Sequence, residues 1–109
     1  MIRRGDLVIV SVPGDYGKPR PALVVQSDLF SALPSVTLCP LTSTLRDDAG
    51  LIRLTVEPTL ANGLQQVSQV IIDKITTVAA GKVSPAIGHA DDACMLRVNR
   101  ALTVFLGIA

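Results

Sequence analysis

The chain has 109 residues, which is the size of one domain that can bury a core without disulfides or metals. Apolar residues make up 49% of it, yet it contains two Phe, one Tyr and no Trp, so the core must be aliphatic. A net charge of +1 excludes a generally basic surface, and an anionic ligand would therefore need a local basic site. The excess of apolar residues predicts a partner surface, most simply a second copy of the chain.

Neither cysteine indicates a metal site or a disulfide. Cys39 lies in an apolar segment and Cys94 in a predicted helix, so both are expected to be small core residues. The apolar stretch 7–12 is too short for a signal peptide, and no apolar run approaches the roughly 18 residues of a membrane span. We therefore expect a cytoplasmic protein.

Short apolar segments separated by turn residues predict a β-rich fold. Strands are expected at 6–12, 22–26, 36–41, 52–56 and 68–73, with further strand segments at 76–78 and 81–83. A polar turn is expected at 27–33, a mobile polar loop at 43–50 and a tight turn at Asn62-Gly63.

The C-terminal segment predicts one amphipathic helix. Asp91 and Asp92 can cap its start, apolar residues then recur at helical spacing, and Gly107 ends it. The expected fold class is therefore a β-rich α+β fold, a small barrel of short, mostly antiparallel strands with a C-terminal α-helix. Residues 1–109 are expected to form a single domain.

Arg20 is the first candidate for a functional residue. It lies between the polar loop 14–19 and the buried strand that continues as Ala22-Leu-Val-Val25. A cation at this junction is held by the sheet and can still reach a ligand, which suits the binding of phosphate.

Several blocks of the sequence, taken together and in order, resemble one protein family. They are Arg4-Gly-Asp-Leu-Val8, Arg20-Pro-Ala-Leu-Val-Val25, Cys39-Pro-Leu-Thr-Ser43, Val70-Ile-Ile-Asp-Lys-Ile-Thr-Thr77 and the terminal Leu106-Gly107. The pattern resembles the MazF/PemK/Kid toxins of type II toxin–antitoxin systems. The resemblance implies an SH3-like barrel, a homodimer, and a sequence-specific endoribonuclease that needs no metal or other cofactor. It also implies a cognate antitoxin that lies over the dimer and covers the RNA site.

The resemblance carries over to particular residues. It implies that Arg20 is the catalytic arginine and that Thr42 is the threonine at the end of the third strand. Relatives use an acidic residue at the position of Asp15 or at that of Asp73. Where relatives use the second position, an arginine stands two residues earlier; here Ile71 stands there, so that pair is incomplete.

These residues suit RNA cleavage by the neighbouring 2′-hydroxyl. Arg20 can stabilise the charged transition state, and Thr42 can add a neutral hydrogen bond to the same phosphate. Asp15 is the best candidate base if burial raises its pKa, and a mechanism that rests mainly on Arg20 stays open. Asp15, Thr42 and Asp73 each have a structural alternative as turn, capping or ion-pair residues.

RNA binding needs stacking and polar contacts to unpaired bases and phosphates. Tyr16 is the candidate for stacking on a base. Candidates for phosphate or base-edge contacts are Lys18, Ser43, Arg46 and Gln69.

Two other functions fit a barrel of this kind. One is a DNA gyrase poison like CcdB, a family that closes on Trp-Gly-Ile where this chain ends Phe105-Leu-Gly-Ile-Ala109. The other is a non-catalytic protein-interaction module, although such modules usually have a groove lined by aromatic residues.

Overall fold

The computed structural model describes residues 1–11 and 17–108. These residues form one curled sheet of seven strands and one α-helix, and every strand pairing is antiparallel. The strands are β1 (Asp6–Val10), β2 (Arg20–Val24), β3 (Ser35–Thr42), β4 (Arg53–Val56), β5 (Ser68–Ile71), β6 (Thr76–Ala79) and β7 (Gly88–His89). The helix α1 is Asp92–Phe105. The predicted β-rich α+β barrel with a C-terminal helix is confirmed.

The sheet curls because β3 changes partners along its length. The strand order is β4-β5-β3-β2-β1-β7, and β6 also pairs with β3. Residues 35–38 of β3 pair with β6, whereas Leu41 and Thr42 pair with β5. Pro40 lies at the change of partner, and it has no N–H to donate to either of these strands. One long strand is thus shared between the two parts of the barrel.

Two aliphatic clusters fill the two faces of the sheet. The larger lies beneath α1 and includes Leu23, Cys39, Ile72, Val98 and Leu102. The smaller lies on the other face, and its members are Val8, Val10, Ala22, Val24, Val36, Leu38 and Val78. Successive strand residues point to opposite faces, so the continuous apolar runs of β1 to β3 supply both clusters.

Helix α1 begins and ends at the residues that the sequence predicts. The Asp91 carboxylate accepts a hydrogen bond from the Cys94 N–H at 2.7 Å, which caps the first turn. Gly107 has a φ of +73°, and its N–H donates to the Val104 carbonyl at 3.1 Å. A residue with a side chain would be strained in this conformation, which explains glycine at this position.

Some predicted elements differ from the structure. The predicted strand at 81–83 is wrong, because Ala80–Lys82 forms a 3-10 turn. The fifth strand ends at Ile71, and Ile72–Lys74 is another 3-10 turn. The two-residue strand β7 was not predicted, since so short a segment has no measurable periodicity. The predicted end of the first strand, Val12, lies outside the described residues.

Within residues 1–11 and 17–108, no helix has the length and apolar character needed to span a membrane. Over the same ranges, His, Cys, Asp and Glu side chains do not come together in groups of three or more that could hold a metal ion.

Candidate active site

An open cleft of about 760 Å³ lies where β2 begins and β3 ends. Its polar lining includes Lys18 and Arg20 from the β2 side and Thr42 and Ser43 from the end of β3. Its apolar lining comes from Ile9, Pro19, Pro21, Leu41, Leu64 and Ile87. Apolar walls lower the local dielectric, which strengthens the attraction between a cation and a bound phosphate.

The strand register brings Arg20 and Thr42 to the same level of the sheet. Ala22 pairs with Pro40 in the antiparallel β2–β3 ladder. Arg20 lies two residues before Ala22 in β2, and Thr42 lies two residues after Pro40 in β3. Because the strands are antiparallel, Arg20 and Thr42 come to the same level. Arg20 is also held from the other side, where it pairs with Val10 of β1. The two residues that the sequence proposed as a catalytic pair thus line one cleft.

Among the described residues, the Thr42 hydroxyl makes one hydrogen bond, in which it is the acceptor. Its Oγ1 accepts a hydrogen bond from the Thr44 N–H at 3.1 Å, which turns the chain out of β3. A hydroxyl that accepts one hydrogen bond can still donate its own hydrogen to a ligand. The capping role that was the structural alternative is therefore compatible with a contact to phosphate.

Gln69 lies beside the cleft lining and not in it. It is 4% exposed and pairs with Thr42 of β3 and Thr55 of β4. Its Oε1 accepts from the Arg46 N–H at 3.0 Å, and its Nε2 donates to the Arg46 carbonyl at 3.0 Å. Nε2 also lies 3.2 Å from Thr55 Oγ1. The amide that was expected to contact RNA holds the loop 43–50, which was expected to be mobile.

Arg46 and Asp73 also lie outside the described lining of the cleft. The Arg46 guanidinium forms two hydrogen bonds of 3.2 Å with Asp48. This contact and the charges of Asp48 and Asp73 raise the pKa of Arg46. The side chains of Arg46 and Asp48 are 53% and 73% exposed, so the pair contributes little to folding stability. Asp73 is exposed in the turn that follows β5.

Two glutamines that are not among the candidates predicted from the sequence also line the cleft. Gln65 and Gln66 follow the predicted Asn62-Gly63 turn and lie among the lining residues. The sequence indicates the turn but gives no sign that the residues after it reach Arg20. Two candidates, Asp15 and Tyr16, lie outside the described residues.

A family model described as a PemK-like, MazF-like toxin of type II toxin–antitoxin systems matches residues 3–106. The chain belongs to this toxin family. It is 48% identical over 109 residues to the probable endoribonuclease MazF of Mycolicibacterium smegmatis, covering 99% of each chain. It is 23% identical over 113 residues to endoribonuclease EndoA of Bacillus subtilis, covering 99% of this chain and 97% of that one.

Solved structures of MazF-like toxins have the same fold. A mycobacterial endoribonuclease in complex with its cognate antitoxin superposes with a TM-score of 0.83 at 21% identity, covering 100% of this chain and 98% of the other. The Mycobacterium tuberculosis toxin MazF-mt6 gives a TM-score of 0.78 at 23% identity, covering 94% and 96% of the two chains. The recognition of a MazF-like toxin from the sequence blocks is confirmed.

His89 is a further ionisable residue of this MazF-like toxin, and it lies away from the cleft lining. Its Nδ1 is 2.9 Å from Asp6 Oδ1, across the pairing of β7 with β1. His89 is exposed, and nothing in the sequence indicates its contact with Asp6 of β1. This contact fastens the short strand β7 to the sheet.

Proposed function

We propose that this chain is the toxin endoribonuclease of a type II toxin–antitoxin pair and that it cleaves single-stranded messenger RNA at a short specific sequence. Cleavage of messenger RNA would stop translation and growth. The observation that carries the proposal is the cleft in which Arg20 and Thr42 lie level with each other at the ends of β2 and β3. The names of the relatives, endoribonuclease MazF and EndoA, support it.

The proposed reaction is an attack by the RNA 2′-hydroxyl on the adjacent phosphorus. The 2′-oxygen loses its proton and bonds to phosphorus, the bond from phosphorus to the 5′-oxygen breaks, and that oxygen takes up a proton. The products are a 2′,3′-cyclic phosphate and a 5′-hydroxyl. Arg20 stabilises the negative charge that grows on the phosphate oxygens, because a guanidinium stays charged and can bind two of them at once.

Thr42 and the acidic candidates have separate parts in this proposal. Thr42 donates a hydrogen bond to the same phosphate. Asp15, five residues before Arg20 in the sequence, is the candidate that takes the proton from the 2′-hydroxyl. We assign no proton transfer to Asp73, because among the described residues it does not line the cleft and its charge acts on Arg46.

Substrate binding is proposed to extend along the RNA strand from the reacting phosphate. Lys18 and Ser43 line the cleft, which supports the proposal that they bind neighbouring phosphates. Arg46 is exposed four residues beyond Thr42 and would bind a phosphate farther along the strand. Tyr16 is proposed to stack on a base, on the sequence argument alone.

The proposed partners are a second copy of the chain and a cognate antitoxin. Apolar residues at the end of α1 remain exposed in the single chain; Phe105 is 44% exposed and Ile108 75%. A second copy would cover such surface. Structures of relatives in complex with a cognate antitoxin support the second partner. We propose that the toxin and its antitoxin act in the cytoplasm, where the RNA substrate is found.

The proposal is tested by mapping cut sites. Purified protein is incubated with a long, unstructured RNA in EDTA, beside Arg20→Ala and the control Arg100→Ala, which changes an exposed arginine of α1. Cuts at one short motif by the wild type and the control, and none by Arg20→Ala, would support the proposal. If folded wild type cut no RNA but inhibited DNA supercoiling by gyrase, the CcdB-like function would replace it.

A further inference from the structure

We infer that Gln65 and Gln66 read the edge of an unpaired base next to the phosphate that Arg20 binds, and thereby set part of the cleavage sequence. This inference rests on the proposed function, since it assigns the substrate specificity of the same cleft. Four features of the structure lead to it.

The first feature is the division of the cleft into two chemical sets. Lys18 and Arg20 are cationic, and Thr42 and Ser43 add hydroxyls, a combination that suits phosphate. Gln65 and Gln66 are neutral and lie among apolar residues such as Leu64 and Ile87. A nucleotide has the same division, with a charged phosphate and a flat, neutral base. The glutamines therefore fit the base better than the phosphate.

The second feature is that the two side chains are available. Both glutamines are exposed, and neither side chain forms a hydrogen bond with the described residues. An amide offers two donor hydrogens and one acceptor oxygen, so it can pair with an edge that has a donor beside an acceptor. The Watson–Crick edges of unpaired bases have such neighbouring groups, and single-stranded RNA is recognised through them.

The third feature is the rigid turn that precedes the glutamines. Asn62 is 5% exposed, and its Oδ1 accepts from the Thr59 N–H at 2.9 Å and from the Leu64 N–H at 3.0 Å. Its Nδ2 donates to the Glu57 carbonyl at 2.8 Å. The side chain thereby fixes the backbone on both sides of the turn.

The fourth feature is the anchoring of the segment at both ends. Gly63 has a φ of +71°, and a Cβ there would lie 2.2 Å from the Ile87 carbonyl oxygen, so the turn packs directly on the chain before β7. Leu64 is buried in the main core, and the Ser68 hydroxyl donates to the Gln66 carbonyl at 3.0 Å. Glutamines on such a fixed backbone can discriminate between bases, because the distance to the base edge is set in advance.

The test is the sequence preference of cleavage by Gln65→Met, Gln66→Met and the double variant. Methionine keeps the length of the side chain and removes its hydrogen-bonding groups. The matched control is Lys74→Met, which changes an exposed residue outside the described lining of the cleft. Cut sites are mapped on a long, unstructured RNA, and the preference for each base is measured at each position around the cut.

We expect the double variant to lose about tenfold in preference at one or two positions, the discrimination typical of one such amide–base pair. Lys74→Met should keep the wild-type preference. The inference is overturned if the double variant keeps the wild-type preference at every position, whether its rate is unchanged or uniformly reduced. Wild-type protein that cuts no RNA would instead overturn the proposed function.

Discussion

Gln69 lies directly opposite Thr42 in the ladder between β3 and β5, and its side-chain amide binds both backbone groups of Arg46. The end of β3 and the loop that follows it are therefore fixed to the same residue. Thr42 and Ser43 line the cleft immediately before this loop. The position of the proposed phosphate-binding hydroxyls thus depends on a buried amide that does not line the cleft itself.

Replacing Gln69 by Leu should release the loop 43–50. The change removes the two hydrogen bonds to Arg46 and the contact with Thr55. The partly buried N–H and carbonyl of Arg46 thereby lose their hydrogen bonds to the Gln69 side chain. We expect a loss of about 1–3 kcal/mol in the free energy of unfolding, measured in urea. Amide hydrogen exchange should rise in the loop, and the KM for RNA should rise more than kcat falls.

Thr55→Val is the matched control for Gln69→Leu, because it removes the third contact and leaves both hydrogen bonds to Arg46. It should keep the exchange rate of the loop close to that of the wild type. Unchanged exchange in folded Gln69→Leu would show that the amide does not hold the loop.

Thr42 should be replaceable by serine but not by valine. Valine keeps the shape of the side chain and removes the hydroxyl, so the proposed hydrogen bond to phosphate is lost. We expect the single-turnover cleavage rate of Thr42→Val to fall about 10- to 100-fold, the effect of one hydrogen bond to a charged group. Thr42→Ser should stay within a few-fold of wild type. Equal rates for the valine and serine variants would remove Thr42 from the mechanism.

The two cysteines should differ in reactivity. Burial raises the pKa of Cys39 to about 12, from 9.0 for an exposed thiol, while Cys94 is half-buried and its pKa is raised for the same reason. In folded protein at pH 8, iodoacetamide should modify Cys94 before Cys39, because the thiolate is the reactive form. Mass spectrometry of timed samples would show the order. Faster modification of Cys39 in the folded state would contradict its burial.

Cys39 should also lower the stability of the fold at high pH. Between pH 9 and about pH 12 the unfolded thiol loses its proton while the buried thiol keeps it. The unfolded state then binds fewer protons, so the free energy of unfolding falls as the pH rises through this range. Urea unfolding of wild type and Cys39→Ala at several alkaline pH values measures the difference. A Cys39→Ala variant with the same alkaline slope would exclude this cause.

Asp91→Ala should weaken the start of α1. The substitution removes the hydrogen bond from the Cys94 N–H to the Asp91 carboxylate. Loss of such a cap costs about 0.5–2 kcal/mol of folding stability, measured by urea or thermal unfolding. Asp92→Ala, one residue later in the first turn, is the control and should cost less. Equal losses in the two variants would indicate a general effect of charge at the helix N-terminus.

The sequence predicts most of the fold, because its signals are local. Apolar runs ended by turn residues mark β1 to β6, and the helix shows both its cap at Asp91 and its stop at Gly107. The errors occur where tertiary contacts decide. Ala80–Lys82 forms a 3-10 turn where a short strand was expected at 81–83, and its Ala80 N–H donates to the Pro34 carbonyl. The strand β7 forms through its pairing with Asp6 and Leu7.

The candidate site is predicted in part. The sequence blocks imply, through the family pattern, that Arg20 and Thr42 belong to one site. The strand register that brings them to the same level is seen only in the structure. The position of Gln69 cannot, since its alternating strand pattern suits an outward-facing amide as well as a buried one. Gln65 and Gln66 reach the cleft because the turn at Gly63 packs on Ile87, a contact between distant parts of the chain.

The most direct test of the proposed active site is the single-turnover rate of RNA cleavage in EDTA by wild type and by Arg20→Ala, at the same cut site. The proposed function predicts a cyclic phosphate on the new 3′ ends and a rate that falls on the order of 100- to 1000-fold or more in the variant. Thermal unfolding must show that Arg20→Ala is folded. A folded Arg20→Ala protein that cuts the same site at the wild-type rate would contradict the assignment of this cleft as the catalytic site.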